Sequence, residues 1–271
     1  MFDFTAIARR TPHYNFHSHT QFCDGRATMA EFATAAEAAG FEHYGFSPHS
    51  PVPIASPCNM RTDQVEEYLA EVERQRREHP GVHFYASMEI DYLGPEWGPA
   101  NPYFQALPLD YRIGSVHFVP AKDGSGPVDI DGSPERFAAN MATHFGNDLR
   151  YVTEAYFSQE IAMLAAGGFD LLAHCDKVAQ NGITVDPDIE SRPWYRAGVD
   201  ALIDAIVKAG VTVEINTKHY ASMGRLFPAP DIIDRLRRAQ VPMVVNSDAH
   251  YTHLIDANRH IGLGKLSDNT I

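Results

Sequence analysis

No stretch of this chain is apolar for long enough to cross a membrane, and the opening MFDFTAIARRT lacks the apolar core of a secretory signal. Cysteine is scarce. Cys23, Cys58 and Cys175 are an odd number that cannot close a disulfide framework, so a reducing, cytoplasmic setting is the simpler reading. Positive charge is short as well: 22 Lys and Arg stand against 35 Asp and Glu, a net charge of -13. That balance argues against extended nucleic acid or an anionic membrane as a partner. It leaves a small anion open, because bound divalent ions would cancel the acid locally. No low-complexity run, fixed-period repeat or linker-like break divides the 271 residues, and a single domain over 1–271 is expected.

What the chain has is alternation. Short apolar runs at 13–16, 43–46, 83–90, 111–119, 170–174, 211–216 and 243–247 read as strands. Helical patterns follow most of them, at about 28–39, 62–78, within 134–167, 195–209 and 231–239. Seven such units make an α/β protein with a parallel sheet, closed into a barrel.

Histidine is the one unusual residue, with 14 copies, and six of them fall with three carboxylates at the ends of these runs. They are His17, His19 and Asp24 after the first, His49 after the second, Glu89 in the third and His117 in the fourth. His174 ends the fifth run, and Asp248 and His250 end the seventh. In a parallel barrel all strand C-termini open on one face, where the active site lies. His-x-His and Asp-x-His on a strand put both side chains on one side, able to grip one ion. Imidazole with carboxylate suits zinc, manganese or iron rather than calcium. Nine ligands exceed the needs of one ion, so two to three divalent ions are expected, with Glu89 as the natural bridge. His13, His79, His83, His144, His253 and His260 have no matching partners and read as ordinary histidines. Cys23 and Cys175 read as small buried hydrophobes.

These motifs resemble the polymerase-and-histidinol-phosphatase (PHP) family of metal-dependent phosphoesterases. The resemblance rests on Phe16-His17-Ser18-His19-Thr20, Ser47-Pro48-His49, Glu89, Gly114-Ser115-Val116-His117, Ala173-His174-Cys175-Asp176 and Asn246-Ser247-Asp248-Ala249-His250, in order along the chain. It implies a distorted (β/α)₇ TIM-like barrel with the metal site at the C-terminal ends of its strands. By position it gives His17, His19, Glu89 and Asp248 to one ion, Glu89, His117 and His174 to a second, and Asp24, His49 and His250 to a third. Within the family the loop after His49, the run Met88–Tyr92, Asp110–Phe118 and Glu214–Thr217 are most similar to histidinol-phosphatases. Lys218-His219-Tyr220 and the segment after His250 depart from that group.

The implied reaction is phosphomonoester hydrolysis, with L-histidinol phosphate of histidine biosynthesis as the expected substrate. A metal-bridged hydroxide would attack phosphorus, with Glu89 and Asp248 holding the ions. Arg225 is expected to clamp the phosphoryl group, since guanidinium matches phosphate bidentately, followed by Lys177, Lys218 and Arg192. Asp176 or a metal-bound water would protonate the leaving group. Asp91, Tyr92 and Phe22 are candidates to face the imidazole and ammonium of the substrate. The alternatives are a phosphatase or phosphodiesterase of the same family acting on another small substrate such as a nucleotide, and a metal-dependent amidohydrolase.

Overall fold

The structure, a computed structural model, describes residues 2–267. Its first half runs α1 (Phe4–Ala8), β1 (Tyr14–Asn15), α2 (Met29–Ala38), β2 (His43–Phe46), α3 (Val65–Glu78), β3 (His83–Ala86), β4 (Glu89–Asp91), α4 (Pro102–Ala106) and β5 (Ile113–Ser115). A hairpin of β6 (Phe118–Pro120) and β7 (Pro127–Asp129) follows, then α5 (Pro134–His144), α6 (Leu149–Ala166), β8 (Leu171–Leu172) and α7 (Ala179–Val185). The chain ends with α8 (Pro193–Ala209), β9 (Thr212–Asn216), α9 (Tyr220–Met223), α10 (Pro230–Arg238), β10 (Met243–Asn246) and α11 (Arg259–Ser267).

The strands form two parallel arcs, β1-β2-β3 and β10-β9-β8-β5-β4. Single parallel bridges, Ser18 to Ala249 and His49 to Glu89, join the arcs at both seams. The result is a distorted (β/α)₇ barrel, its third stave broken into β3 and β4.

Where the ladders stop, side chains replace them. The Tyr111 hydroxyl donates to the Phe16 carbonyl at 2.6 Å, and the Tyr68 hydroxyl to that of Ser87 at 2.6 Å. The side-chain carbonyls of Asn246 and Asn15 accept from the amides of Phe16 and Ser247, each at 2.8 Å. These bonds satisfy buried backbone groups that the short strands leave open. Tyr111 reaches its partner only because residue 45 is glycine: a Cβ there would lie 1.7 Å from the hydroxyl.

Local chemistry sets the helix limits. Thr28 and Glu31 form a capping box at the start of α2, while Pro193 opens α8 and left-handed Gly210 closes it. Phe4 on α1 packs against Phe16 and Tyr111, with ring centres 5.0 Å from each. With Tyr14, Ile113, Leu171 and Val244 it fills a fully buried cluster. Each such side chain contributes about 1.5–3 kcal/mol of burial.

The fourth run is not one strand over 111–119. β5 ends at Ser115, and the chain leaves as the antiparallel hairpin β6–β7. The Ser115 carbonyl accepts from Tyr92 and that of His117 from Ile130. That exit carries residues 129–136 over the rim of the barrel.

Candidate metal centre

Seven of the nine ligand-type residues lie within a few residues past a strand end, Glu89 opens β4, and Asp24 stands in a turn of the loop that follows β1. Asp248 sits two residues past β10 with φ of +48°, a left-handed conformation that a non-glycine residue adopts at a cost. Glu89, only 1% exposed, occupies the middle. Its Oε2 lies 3.2 Å from His17 Nε2, 3.4 Å from His19 Nε2 and 3.1 Å from His49 Nδ1. Its Oε1 lies 3.0 Å from His174 Nε2 and 3.5 Å from His117 Nε2. The two oxygens of one carboxylate thus face two different groups of imidazoles.

A second focus forms around Asp24, whose Oδ1 is 3.3 Å from His250 Nε2, 3.7 Å from His19 Nδ1 and 3.8 Å from His49 Nε2. Asp248 Oδ1 stands 3.1 Å from His19 Nε2 and 3.4 Å from His250 Nδ1. Among the described residues, donor atoms gather within 4.8 Å of one another in three sets. These are His17, His19 and Glu89; His49, Glu89 and His117; and His19, Asp24, His49 and His250. His49 therefore reaches two sets, one through each ring nitrogen, rather than the Asp24 set alone.

The arrangement fits cations better than protons. Glu89 Oε1, Asp24 Oδ1 and Asp248 Oδ1 are buried and accept no hydrogen bond of ordinary geometry. His17 Nε2 and His19 Nε2 face each other at 3.1 Å. Burial opposes ionisation of Glu89, yet His17, His49 and His117 outweigh it and hold its carboxyl well below the usual range. Burial likewise opposes charge on Asp248, but Lys218 and His17 hold it ionised. Burial, reinforced by His250 and His49, keeps His19 neutral. Burial opposes charge on His17 and His117, yet the carboxylates around them raise both, His117 to about 10, so metal bound there would displace protons from these rings.

A second layer aims the rings. Glu214, fully buried in β9, accepts hydrogen bonds from His17 Nδ1 at 2.8 Å and from Asn246 Nδ2 at 2.9 Å. Asp91 does the same for His117 Nδ1 at 2.8 Å. Such outer carboxylates fix tautomer and direction. Sequence reasoning gave Glu214 no role. Its signal was a lone carboxylate inside the apolar run Val211–Ile215.

Beside this centre opens a cleft of about 370 Å³, lined by Asp24, His49, His117 and His250 and also by Phe118, Asp129, Asp131, Gln180 and His219. Lys218 lines it too, with Nζ 3.4 Å from Asp248 and 3.3 Å from His250 Nε2. Lys177 reaches its wall from behind: Nζ stands 3.5 Å from Asp131 and 3.4 Å from His219 Nε2. Asp131, in a turn that sequence reading passed over, has a buried oxygen without a hydrogen-bond partner.

Two expected phosphate cations point elsewhere. Arg225 is closed on Asp176 and, at 2.7 Å, on Glu190, and its guanidinium stacks on Phe227. Arg192 is paired with Asp186 at 2.6 Å on the surface. Neither lines the cleft. Asp176 stands with them: its carboxylate accepts from Arg225 and from the Ala229 amide at 2.9 Å and does not line the cleft. Phe22 and Tyr92 are buried in apolar clusters, and Asp91 is spent on His117 and Asn59. The Cys23 thiol is pushed up to about 12 by burial and by Asp24, and Cys175 is fully buried.

The sequence profile of the PHP domain matches residues 15–218, three quarters of the chain. The chain belongs to the PHP domain family. As a PHP protein it is a metal-dependent phosphatase resembling the histidinol-phosphatases. A probable histidinol-phosphatase of Deinococcus radiodurans is 27% identical over 239 residues, covering 86% of this chain and 85% of the relative. Two crystal structures share the fold. A Listeria monocytogenes protein described as a histidinol phosphatase has a TM-score of 0.77 at 18% identity, over 92% of this chain and 99% of that one. The histidinol phosphate phosphatase of Lactococcus lactis, complexed with zinc, L-histidinol and phosphate, has a TM-score of 0.68 at 17% identity, over 94% of each. Among the described residues no helix is long and apolar enough to cross a membrane.

Proposed function

We propose that this PHP protein hydrolyses L-histidinol phosphate to L-histidinol and inorganic phosphate, using two to three zinc, manganese or iron ions. The observation that carries the reading is Glu89, whose two oxygens each face a separate group of imidazoles beside a cleft of substrate size. His17, His19, Glu89 and Asp248 would hold one ion, Glu89, His117 and His174 a second, and Asp24, His49 and His250 a third. His49 and His19 stand within reach of neighbouring sets as well. Divalent ions bound there acidify water near neutral pH and neutralise phosphoryl charge.

The chain's own side chains do the rest. Glu214 and Asp91 hold His17 and His117 in the tautomers that leave their Nε2 atoms facing Glu89. Lys218 and Lys177 bind the phosphoryl oxygens in place of Arg225. Lys218 now leans on Asp248 and His250, which are ligand residues, so occupation of those atoms frees its ammonium for the cleft. Phe118, Asp129 and Gln180 also line the cleft, where an aromatic ring and hydrogen-bonding groups suit an imidazole and an ammonium. The Deinococcus and Lactococcus proteins support the choice of substrate.

Phosphate release by manganese- or zinc-replete protein tests the reading. L-histidinol phosphate should exceed a nucleoside monophosphate and p-nitrophenyl phosphate in kcat/KM by about 10²-fold or more, the discrimination expected where substrate groups meet placed polar partners. An acetylated amine should not react. Preference for the nucleotide would move the substrate, and hydrolysis of the amide alone would overturn the reaction class.

A further inference from the structure

Lys177 is 4% exposed; its backbone amide donates to the His174 carbonyl at 2.9 Å, while its ammonium is held by Asp131 and His219 rather than by ligand side chains. A buried ammonium must be compensated by partners that stay in place. Three are visible. Asp131 Oδ1 lies at 3.5 Å, His219 Nε2 at 3.4 Å, and the Phe227 ring lies with its centre 5.6 Å from Nζ. His219 meets the same Phe227 ring edge-on at 5.9 Å. Asp131 and His219 both line the cleft, so the ammonium they hold stands at its wall. An ammonium has three protons to donate. His219 Nε2 is within reach of one at 3.4 Å, while Asp131 Oδ1 at 3.5 Å compensates the charge without a hydrogen bond of ordinary geometry, so a proton remains for a further acceptor.

From this cage we infer that His219 is a positioning residue, its Nε2 accepting a hydrogen bond from Lys177 so that the lysine presents its remaining proton to a phosphoryl oxygen in the cleft. The inference rests on the phosphatase reading above. Its ligand is a phosphate anion, and its chemistry is that of a fixed charge: no bond forms or breaks at His219. Accepting at Nε2 requires the neutral imidazole protonated at Nδ1. Burial, Lys177 and Lys218 together press the His219 pKa down to about 3, which keeps that acceptor available throughout the working range. Asp131 shares the lysine but also stands 4.0 Å from His117 Nε2, a proposed ligand atom, and its variants would disturb metal binding too. His219 is the cleaner handle.

Two substitutions separate acceptor from ring. His219→Phe keeps the contact with Phe227 and loses the acceptor. His219→Gln loses the ring and keeps an acceptor. Binding of inorganic phosphate to the manganese-loaded protein, measured by calorimetry, is read beside kcat/KM and metal content. His219→Phe should weaken phosphate binding and lower kcat/KM by about tenfold at unchanged metal content, the scale of one hydrogen bond to a charged group. His219→Gln should recover most of that loss. In a Lys177→Met background His219→Phe should cost less than about twofold, because the two residues act as one unit. Equal losses with and without Lys177, no loss in His219→Phe, or no recovery in His219→Gln would overturn the inference while parental phosphatase activity stood. A parent that neither binds phosphate nor hydrolyses any phosphomonoester would overturn the phosphatase reading and this inference together.

Discussion

Two buried polar clusters sit close together on this barrel and are built on opposite plans. Around Asp176 the cation comes from within the protein: Arg225 bridges Asp176 and Glu190, and the Ala229 amide donates to the same Asp176 oxygen as Arg225. Around Glu89 the account stays open, with imidazoles and carboxylates turned toward one another and oxygens that accept nothing. Both clusters follow strand ends, and from sequence both look like candidate catalytic groups. The difference lies in who supplies the cation. One cluster holds its own; the other is shaped for a cation that the chain does not encode. A charged residue at a strand end is therefore functional evidence only when its counter-charge is missing.

The widest separation between the clusters should come from removing the centre of the open one. Glu89→Gln keeps the size but loses the second anionic oxygen. Activity should fall roughly 10³-fold or more, and bound metal by at least one equivalent per chain, as read by elemental analysis. His49→Ala should lose less, because the remaining members of each set survive. A Glu89→Gln protein with parental metal content would place the bridge elsewhere.

Glu214→Gln tests the layer behind. Its carboxylate holds the His17 Nδ1 proton, and without that charge the ring is held less firmly. Metal affinity should drop about 10- to 100-fold by competition with a chelator, while the fold persists. No change in affinity would reduce Glu214 to a core hydrogen-bond partner.

How far the sequence could show this contrast depends on chain distance. His17 and His19 are two residues apart, so the pleat alone puts them on one side. The alternation of strands and helices, and with it the ring of strand ends, is equally local. Arg225 is a different matter. Its place after the sixth strand is the same whether it faces the cleft or Asp176, and its partner is 49 residues away in another loop. Nothing local distinguishes the two. The run 111–119 fails for a related reason: apolar residues continue through the point where β5 gives way to β6, so burial in the hairpin imitates burial in the barrel. The fit of Tyr111 over Gly45, which depends on two separate staves, is likewise visible only in three dimensions.

The closed cluster makes its own demand. Arg225→Ala should leave kcat/KM within about fivefold of the parent, since the guanidinium touches neither cleft nor ligand. It should destabilise the fold by about 3 kcal/mol, because it strands Asp176 in the interior. Denaturant midpoints and steady-state kinetics on the same preparation check both. A loss of activity near 10²-fold at parental stability would restore Arg225 as a phosphate clamp.

Glu160 offers the most graded test, because it belongs to neither plan. It is fully buried on α6, and neither carboxyl oxygen has a hydrogen-bond partner of ordinary geometry. Burial lifts its pKa from the ordinary 4.5 to about 8, and the Tyr156 hydroxyl and His117 offset only part of that rise. The folded protein thus tolerates the neutral acid and resists the anion. Whatever stability the protonated group permits is whole below pH 4.5 and is lost as pH rises toward 8. The loss should approach about 1.4 kcal/mol per pH unit across that window. Glu160→Gln, neutral at every pH, should remove this component. Parent and variant should therefore match in denaturant midpoint near pH 5, and the variant should be the more stable one at pH 8. Taking the difference between the two proteins cancels the histidines that titrate over the same range. If the difference stays flat with pH, Glu160 is ionised in the fold with a cation holding it, and belongs with Asp176 among the closed charges. If it grows as described, the interior holds a carboxyl kept neutral by burial, with the Asp176 charge adding to it.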